Sequence, residues 1–336
     1  MTKFPRIVTT CAPLRLSFAG GGTDLPSYYT REDGSVLSTT INQFVYVTVK
    51  SHGELFGEQY RLNYYDSEHA QSLNEIQNDI VRECLKLVSV DPPLYISTVA
   101  DLPSSSGLGS SSSFAVSLLH ALHAKRQDRI SVAQLAEEAC HIEMNVLKHP
   151  IGKQDQYAAA FGGLNQLIFQ TNGDVTIEPQ SISASAIDKL FEHIMLFWTK
   201  MPRNSAEILE FQNNVVPDRM ESLRTIKSHC LKIKTLLTDP EDINLLEFGN
   251  TLDDTWQQKR SLTSKVSTPE IDNWYCIARN AGAYGGKVSG AGGGGFLMLI
   301  VPPKKHNSVR QALGDLPLVP IRYEAAGSRV LIPLGH

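Results

Sequence analysis

PSSSGLGSSSSFAV, residues 103–116, is the stretch on which the reading of this chain turns. It lies between LYISTV at 94–99, whose composition predicts a strand, and a segment in which Phe114, Leu118 and Leu122 recur at helical spacing. A flexible linker would be bounded by polar sequence. A serine-glycine run clamped between an apolar strand and an amphipathic helix is instead a structured loop, with Ser110–Ser113 as the first helical turn. Helix N-termini leave backbone N–H groups unpaired and carry partial positive charge; glycines let the backbone close on an anion, and serine hydroxyls add donors or a metal ligand. Phosphate is the natural guest, and a capped helix behind a tight turn is the plainer alternative.

Standard nucleotide loops do not account for it. The lysine of G-x-x-x-x-G-K-[ST] is missing, and the nearest approach, GAYGGKV at 282–288, has the wrong spacing and ends in valine. GLGSSS does not complete G-x-G-x-x-G, and no acidic residue follows at the required distance. A third type of phosphate loop is needed.

The totals agree with an enzyme. At 336 residues the chain has room for two domains, and 42% apolar with 20% charged residues is ordinary for a soluble globular protein. The net charge of −4, with both signs scattered, offers no basic stripe for nucleic acid or an anionic membrane, so neither is an expected partner. Five cysteines, odd in number, far apart and never in C-x-x-C, argue against a disulfide framework and a zinc site and fit a reducing cytoplasm. MTKFPRIVTT lacks the apolar core of a signal peptide, and FLMLIV at 296–301 is too short to span a bilayer.

Along the chain, LRLSF, with Leu14, Leu16 and Phe18 alternating against Arg15 and Ser17, and FVYVTV at 44–49 predict strands. Ser131 followed by Gln134 is a capping-box signal, after which Leu135, Ala139, Ile142 and Val146 predict one helix running until Pro150 stops it. A short helix is expected near Asp155, then strands around LIFQTNGDVTIEP with a turn at Asn172–Gly173. A soft boundary between about 175 and 192 divides the chain into 1–185 and 186–336. The second part predicts a strand at IMLFW, helices at 205–213, 217–237, 241–260 and 269–280, and strands at FLMLIV and RVLIP.

Two more glycine-rich segments matter. GKVSGAGGGGFLMLIV (286–301) packs glycines before a buried-looking strand; four in a row weaken a strand, so close approach to a ligand or to the first loop is expected beyond a bulged hairpin. APLRLSFAGGGTDLPSYY (12–29) puts Asp24 in the turn after a strand, which alone is ordinary turn chemistry. In CHIEMNVLKHPIGKQDQYAAAFGG (140–163), Glu143 ends one helix and Asp155 begins another, its small apolar flank suggesting confinement. Phosphoryl transfer needs Mg²⁺ bridging phosphates, few protein ligands for it, and a carboxylate that deprotonates the attacking hydroxyl. Ser110 with Glu143 would supply the first and Asp155 the second. His120, His123 and His141 form no H-E-x-x-H and are assigned no metal, and no G-x-S-x-G elbow supports a serine hydrolase.

In order, CAPLRLSFAGGGTD, PSSSGLGSSSS, GKQDQYAAAFGG and KVSGAGGGGF resemble the signature segments of the galactokinase, homoserine kinase, mevalonate kinase and phosphomevalonate kinase superfamily. The resemblance covers nearly the whole chain. It implies an α+β, two-domain fold: an N-terminal ribosomal S5 domain 2-like α/β domain and a C-terminal ferredoxin-like α+β domain, with the site between them. By the same match Ser104, Ser105, Ser106, Gly107, Leu108, Gly109, Ser110, Ser111 and Ser112 would wrap the ATP phosphates, Ser110 and Glu143 would hold Mg²⁺, and Asp155 would be the catalytic base. AGGGTD, QDQYAAAFGG and GAYGGKVSGAGGGGF look most like sugar-1-kinases acting on a heptose 7-phosphate, with L-fucokinases sharing much of the pattern. The implied acceptor site takes in Arg15, Gly21, Gly22, Thr23, Asp24, Lys153, Gln154, Gly292 and Gly293. WTKMPRNSAEIL and WQQKRSLTSKV add Lys200, Arg203, Lys259, Arg260 and Lys265, more positive charge than ATP needs and suited to a second phosphate, or else solvated helix charge. Lys153 stands where related kinases often carry a small residue. An unphosphorylated sugar as acceptor, or a regulator that binds sugar and ATP without turnover, are the alternatives; intact Ser110, Glu143 and Asp155 count against the latter. Self-association as a homodimer is left open.

Overall fold

A computed structural model describes residues 6–53, 55–201, 205–239 and 243–334. Twelve strands are assigned among them: β1 (Ile7–Ala19), β2 (Gly34–Ser51), β3 (Tyr60–Asn63), β4 (Ser67–Ala70), β5 (Leu94–Ala100), β6 (Leu164–Phe169), β7 (Val175–Pro179), β8 (Ile194–Trp198), β9 (Gly285–Val288), β10 (Phe296–Ile300), β11 (Leu318–Val319) and β12 (Arg329–Leu334). The helices are α1 (Pro26–Tyr29), α2 (Asp79–Leu87), α3 (Ser110–Arg126), α4 (Val132–Cys140), α5 (Gln154–Phe161), α6 (Ala184–His193), α7 (Ser205–Val215), α8 (Met220–Leu237), α9 (Leu245–Leu262), α10 (Pro269–Ala281) and α11 (His306–Leu313).

The first sheet runs β12-β1-β2-β5-β3-β4, antiparallel except for the β3–β5 pair. β2 is long enough to serve two partners: its end, Val45–Ser51, pairs with β5, while its start, Gly34–Thr39, pairs with β6, which carries β7. The FVYVTV prediction thus caught only the second half of a strand that begins at Gly34. α3 lies across β1 and β2 with Ala115, Val116, Leu118, Leu119, Ala121 and Leu122 all buried, which fixes its N-terminus at one end of the sheet. Such an apolar circumference belongs to a central helix, not a surface one.

The second sheet, β11-β8-β10-β9, is antiparallel throughout, and its sequence order 4-1-3-2 is that of a ferredoxin-like β-α-β-β-α-β unit. β8 and β10 match the predicted IMLFW and FLMLIV closely. One apolar cluster joins the halves: Leu14, Leu16 and Phe18 of β1 pack with Phe248 and Leu252 of α9 and Phe296 and Met298 of β10. Phe18 meets Phe248 edge to face at 5.2 Å. The last strand, β12, returns to pair with β1, so the predicted 186–336 unit gives its final strand to the first sheet.

Two local expectations fail for physical reasons. The helix expected to reach Pro150 stops at Cys140 and widens into a π-type turn over His141–Val146, a form common at functional sites. Only half of the capping box forms: Gln134 N donates to Ser131 Oγ at 3.1 Å, while the Gln134 side chain donates to Glu138. Among the described residues no helix is long and apolar enough to cross a membrane.

Candidate active site

The serine-glycine loop leaves β5 and enters α3 through left-handed backbone at Ser105, Gly107 and Gly109. Gly109 caps α3 at φ +81°, a backbone conformation that favours glycine, and a Cβ there would press on the Asp155 carboxylate at 3.3 Å from Cγ. The loop is anchored from below. Leu108 is wholly buried in the cluster that joins the two halves, its carbonyl accepts from Arg15 N at 3.0 Å, and Ser113 Oγ donates to Pro13 O at 2.9 Å. Gly295, at φ +88°, carries the expected close approach: a Cβ there would come within 2.2 Å of Ser106 O. The last glycine segment therefore buttresses the first.

A cleft of about 320 Å³ opens between this loop, the turn after β1 and α7, α9 and the 290–291 segment. Asp155, on the first turn of α5, faces it with Arg15 of β1 as partner: Nε donates to Oδ1 at 2.8 Å and Nη2 to Oδ2 at 2.9 Å. Arg15 Nη1 also donates to Gly107 O at 2.7 Å, tying carboxylate and loop to one guanidinium. Nearby, Asp24 accepts from Gly22 N at 3.0 Å and from Gln154 Nε2 at 2.9 Å. Burial, and then the neighbouring negative charge of Asp155, hold the Asp24 carboxyl above the ordinary aspartate range.

Glu143 projects from the π-type turn and is 1% exposed. Its oxygens accept from Ser111 Oγ at 2.8 Å and Gln156 Nε2 at 2.6 Å, and burial raises its proton affinity. Ser110, expected beside Glu143 as a magnesium ligand, lines the same cleft as that carboxylate, and Ser111, one step round the helix, donates to it. Gln156 was not anticipated, and only its place one residue after Asp155 in QDQY hinted at it.

The anticipated residues divide. Arg15, Gly21, Gly22, Asp24, Ser105, Gly107, Gly109, Ser110, Ser111, Ser112, Glu143, Gln154, Asp155 and Lys259 line the cleft. Ser104, Ser106 and Leu108 do not; Ser106 and Leu108 are fully buried. Thr23 Oγ1 is turned into the turn itself, donating to Gly20 O at 2.8 Å and Ser35 O at 3.0 Å. Lys153 points across to the β6–β7 hairpin, donating to Gly173 O at 2.7 Å, and lines an adjoining hollow beside Glu137. Arg260 pairs with Asp272 at 2.7 Å, so its charge is met on the helix surface and not in the cleft. Gly292 and Gly293 back onto Val266 and Ile208; their neighbours Gly290 and Ala291 line the cleft instead. Arg203 lies outside the described residues. Gln212 and Leu209 of α7 line the cleft unforeseen.

The sequence pattern of the GHMP kinases N-terminal domain matches residues 75–163, and that of the C-terminal domain residues 233–316. Over 298 residues the chain is 32% identical to a D-glycero-alpha-D-manno-heptose 7-phosphate kinase of Campylobacter jejuni, covering 85% of this chain and 87% of that protein. This chain is a GHMP kinase. A solved D-glycero-D-manno-heptose 1-phosphate kinase from Bacteroides thetaiotaomicron superposes with a TM-score of 0.79 at 27% identity, over 97% of this chain and 99% of that one. The L-fucokinase/L-fucose-1-P guanylyltransferase of Bacteroides fragilis is 24% identical over 85% of this chain, which spans 34% of that protein. As a GHMP kinase the protein is an ATP-dependent phosphotransferase with an alcohol group as acceptor.

The donor set of this GHMP kinase fits a magnesium ion held chiefly by phosphates. Among the described residues no group of three or more acidic, histidine or cysteine side chains is gathered for a metal. One sealed carboxylate, Glu143, stands at the start of α3 with only neutral hydrogen-bond donors on it, a hard oxygen site short of positive charge.

Proposed function

We propose that this kinase transfers the γ-phosphoryl group of ATP to the anomeric hydroxyl of D-glycero-D-manno-heptose 7-phosphate, giving the 1,7-bisphosphate, in the cytoplasm and toward nucleotide-activated heptose for surface polysaccharide. The observation that carries this reading is the placement of Asp155, gripped by Arg15 at the cleft between the phosphate loop and the Asp24–Gln154 pair. Residues 1–185 supply the phosphate loop and the base; residues 186–336 supply the wall that carries Lys259.

In this reading backbone N–H groups around Gly107 and Gly109 and the N-terminus of α3 receive the triphosphate. Glu143, with the hydroxyls of Ser110 and Ser111, would hold Mg²⁺, which when bound neutralises phosphate charge. Asp24 and Gln154 accept and donate to sugar hydroxyls, fixing the ring. The anomeric hydroxyl then gives its proton to an oxygen of Asp155 as its own oxygen attacks the γ-phosphorus, the bond from that phosphorus to the β,γ-bridging oxygen breaks and ADP leaves, and Arg15 keeps the carboxylate oriented. Most of the rate comes from positioning and electrostatics. Lys259, buried on α9 at the cleft wall, receives the acceptor's own phosphate.

Purified protein with ATP and Mg²⁺ should release ADP with D-glycero-D-manno-heptose 7-phosphate and form a new anomeric phosphate by ³¹P NMR. L-Fucose and D-galactose should support at most about a hundredth of that kcat/KM, the discrimination expected when a charged subsite is left empty. Faster turnover of either free sugar would overturn the substrate assignment.

A further inference from the structure

Lys287 takes no part in the reaction as drawn, yet it reaches from one half of the molecule into the other. It stands on β9, is 2% exposed, and places Nζ 2.8 Å from Ser17 O and 3.3 Å from Phe18 O of β1. Successive carbonyls of a regular strand point to opposite edges and cannot share one donor. Here they do, because the β1–β2 register slips: Ser17 pairs with Ser38 and Ala19 with Leu37, leaving Phe18 as the extra residue of a β-bulge. β12 has left that edge of β1 by then, its pairing confined to Ile7–Cys11. The lysine therefore serves carbonyls that the sheet does not.

Sealing an ammonium there is costly. Burial, and secondarily the positive Arg15, push the Lys287 amine down to about 7, and the Cys230 thiol that interacts with it electrostatically is itself pushed up to about 12 by burial. Among the described residues no carboxylate pairs with it. The bulge lies two residues after Arg15, which grips Asp155, and leads directly into the 20–24 turn, which presents Gly21, Gly22 and Asp24 to the cleft. We propose that Lys287 is a positioning residue for phosphoryl transfer: by clasping the Ser17–Phe18 bulge from the second half of the molecule it fixes Arg15 and the Asp24 turn relative to one another.

The test replaces Lys287 by methionine, of similar length without donors, and by arginine, which keeps them. In Lys287→Met, amide hydrogen exchange over residues 17–25 should quicken at least about tenfold while that of 105–113, anchored through Leu108 and Ser113, stays within about threefold. Acceptor kcat/KM should fall at least about tenfold, the dissociation constant for Mg-ADP should change less than about threefold, and Lys287→Arg should recover part of the loss. Unchanged exchange over 17–25, or an equal loss of ADP binding, would overturn the proposal, as would failure of both variants to fold, since Lys287 would then serve the fold alone. The inference assumes only an acceptor bound beside Asp24. Should the wild type turn over none of the sugars above, the substrate reading fails by itself, and the exchange measurement, which needs no acceptor, decides the role of Lys287.

Discussion

Arg15 and Asp155 meet as a two-point pair across 140 positions of sequence, Nε on Oδ1 at 2.8 Å and Nη2 on Oδ2 at 2.9 Å. The guanidinium side chain is 4% exposed and the carboxylate 24%, so the arginine is sealed while the aspartate keeps an open side toward the cleft. A bidentate grip of this kind fixes both the plane and the position of the carboxylate. Because the same guanidinium holds Gly107 O, the distance from Asp155 to the serine-glycine loop is set by one side chain.

Asp155→Asn keeps the shape and removes the proposed proton acceptor. Turnover should fall at least about 100-fold, the usual loss for a general base, while calorimetry finds Mg-ATP binding within about threefold of wild type. Turnover above a tenth of wild type would take Asp155 out of the proton transfer.

Asp24→Asn tests the buried charge beside it. Burial and the charge of Asp155 make Asp24 bind its proton more tightly in the folded chain than in the unfolded one. Such a carboxyl favours the fold in acid, and that contribution is lost as pH rises from the ordinary aspartate value through the raised folded one. Asparagine does not titrate, and a flipped Gln154, whose Oε1 otherwise lacks a partner, can accept from it. Scanning calorimetry without ligands should find the melting temperature of Asp24→Asn gaining on wild type between pH 4 and pH 8, by on the order of 2 °C. A gap that does not change with pH would show that Asp24 carries no raised affinity.

How much of this was visible beforehand follows from what sequence periodicity records. It reports which residues face inward on a regular element, so β8, β10 and the long helices of the second half stood out. It is silent where regularity breaks: the π-type turn that aims Glu143 and the bulge at Phe18 are departures from period that no spacing rule reads. One residue of helical phase is about 100° of rotation, so a run of four serines does not say which hydroxyl reaches Glu143, and the donor Ser111 emerges only from the structure. The glycines of 292–295 announced a close approach, but that Gly295 meets Ser106 is a fact of tertiary structure. Basic residues are the least legible of all. Lys153, Lys259 and Arg260 look alike in sequence, and only their partners, Gly173 and Glu137, Gly290, and Asp272, sort them into hairpin, cleft and surface.

Lys259→Met separates phosphate recognition from loop support. Lys259 is buried on α9, donates to the Gly290 carbonyl and lines the cleft, where Gln212 Nε2 donates to Ala291 O at 3.2 Å to complete the same wall. A charge-assisted hydrogen bond to phosphate contributes about 1.5–3 kcal/mol, which is about 10- to 150-fold in affinity. The KM for the heptose phosphate should therefore rise at least about tenfold in the variant, with kcat changed less. The discriminating measurement is the same comparison with the unphosphorylated heptose, whose weaker turnover should be insensitive to the substitution. If both acceptors lose equally, Lys259 acts by holding the 290–291 segment in place and is not the proposed phosphate ligand.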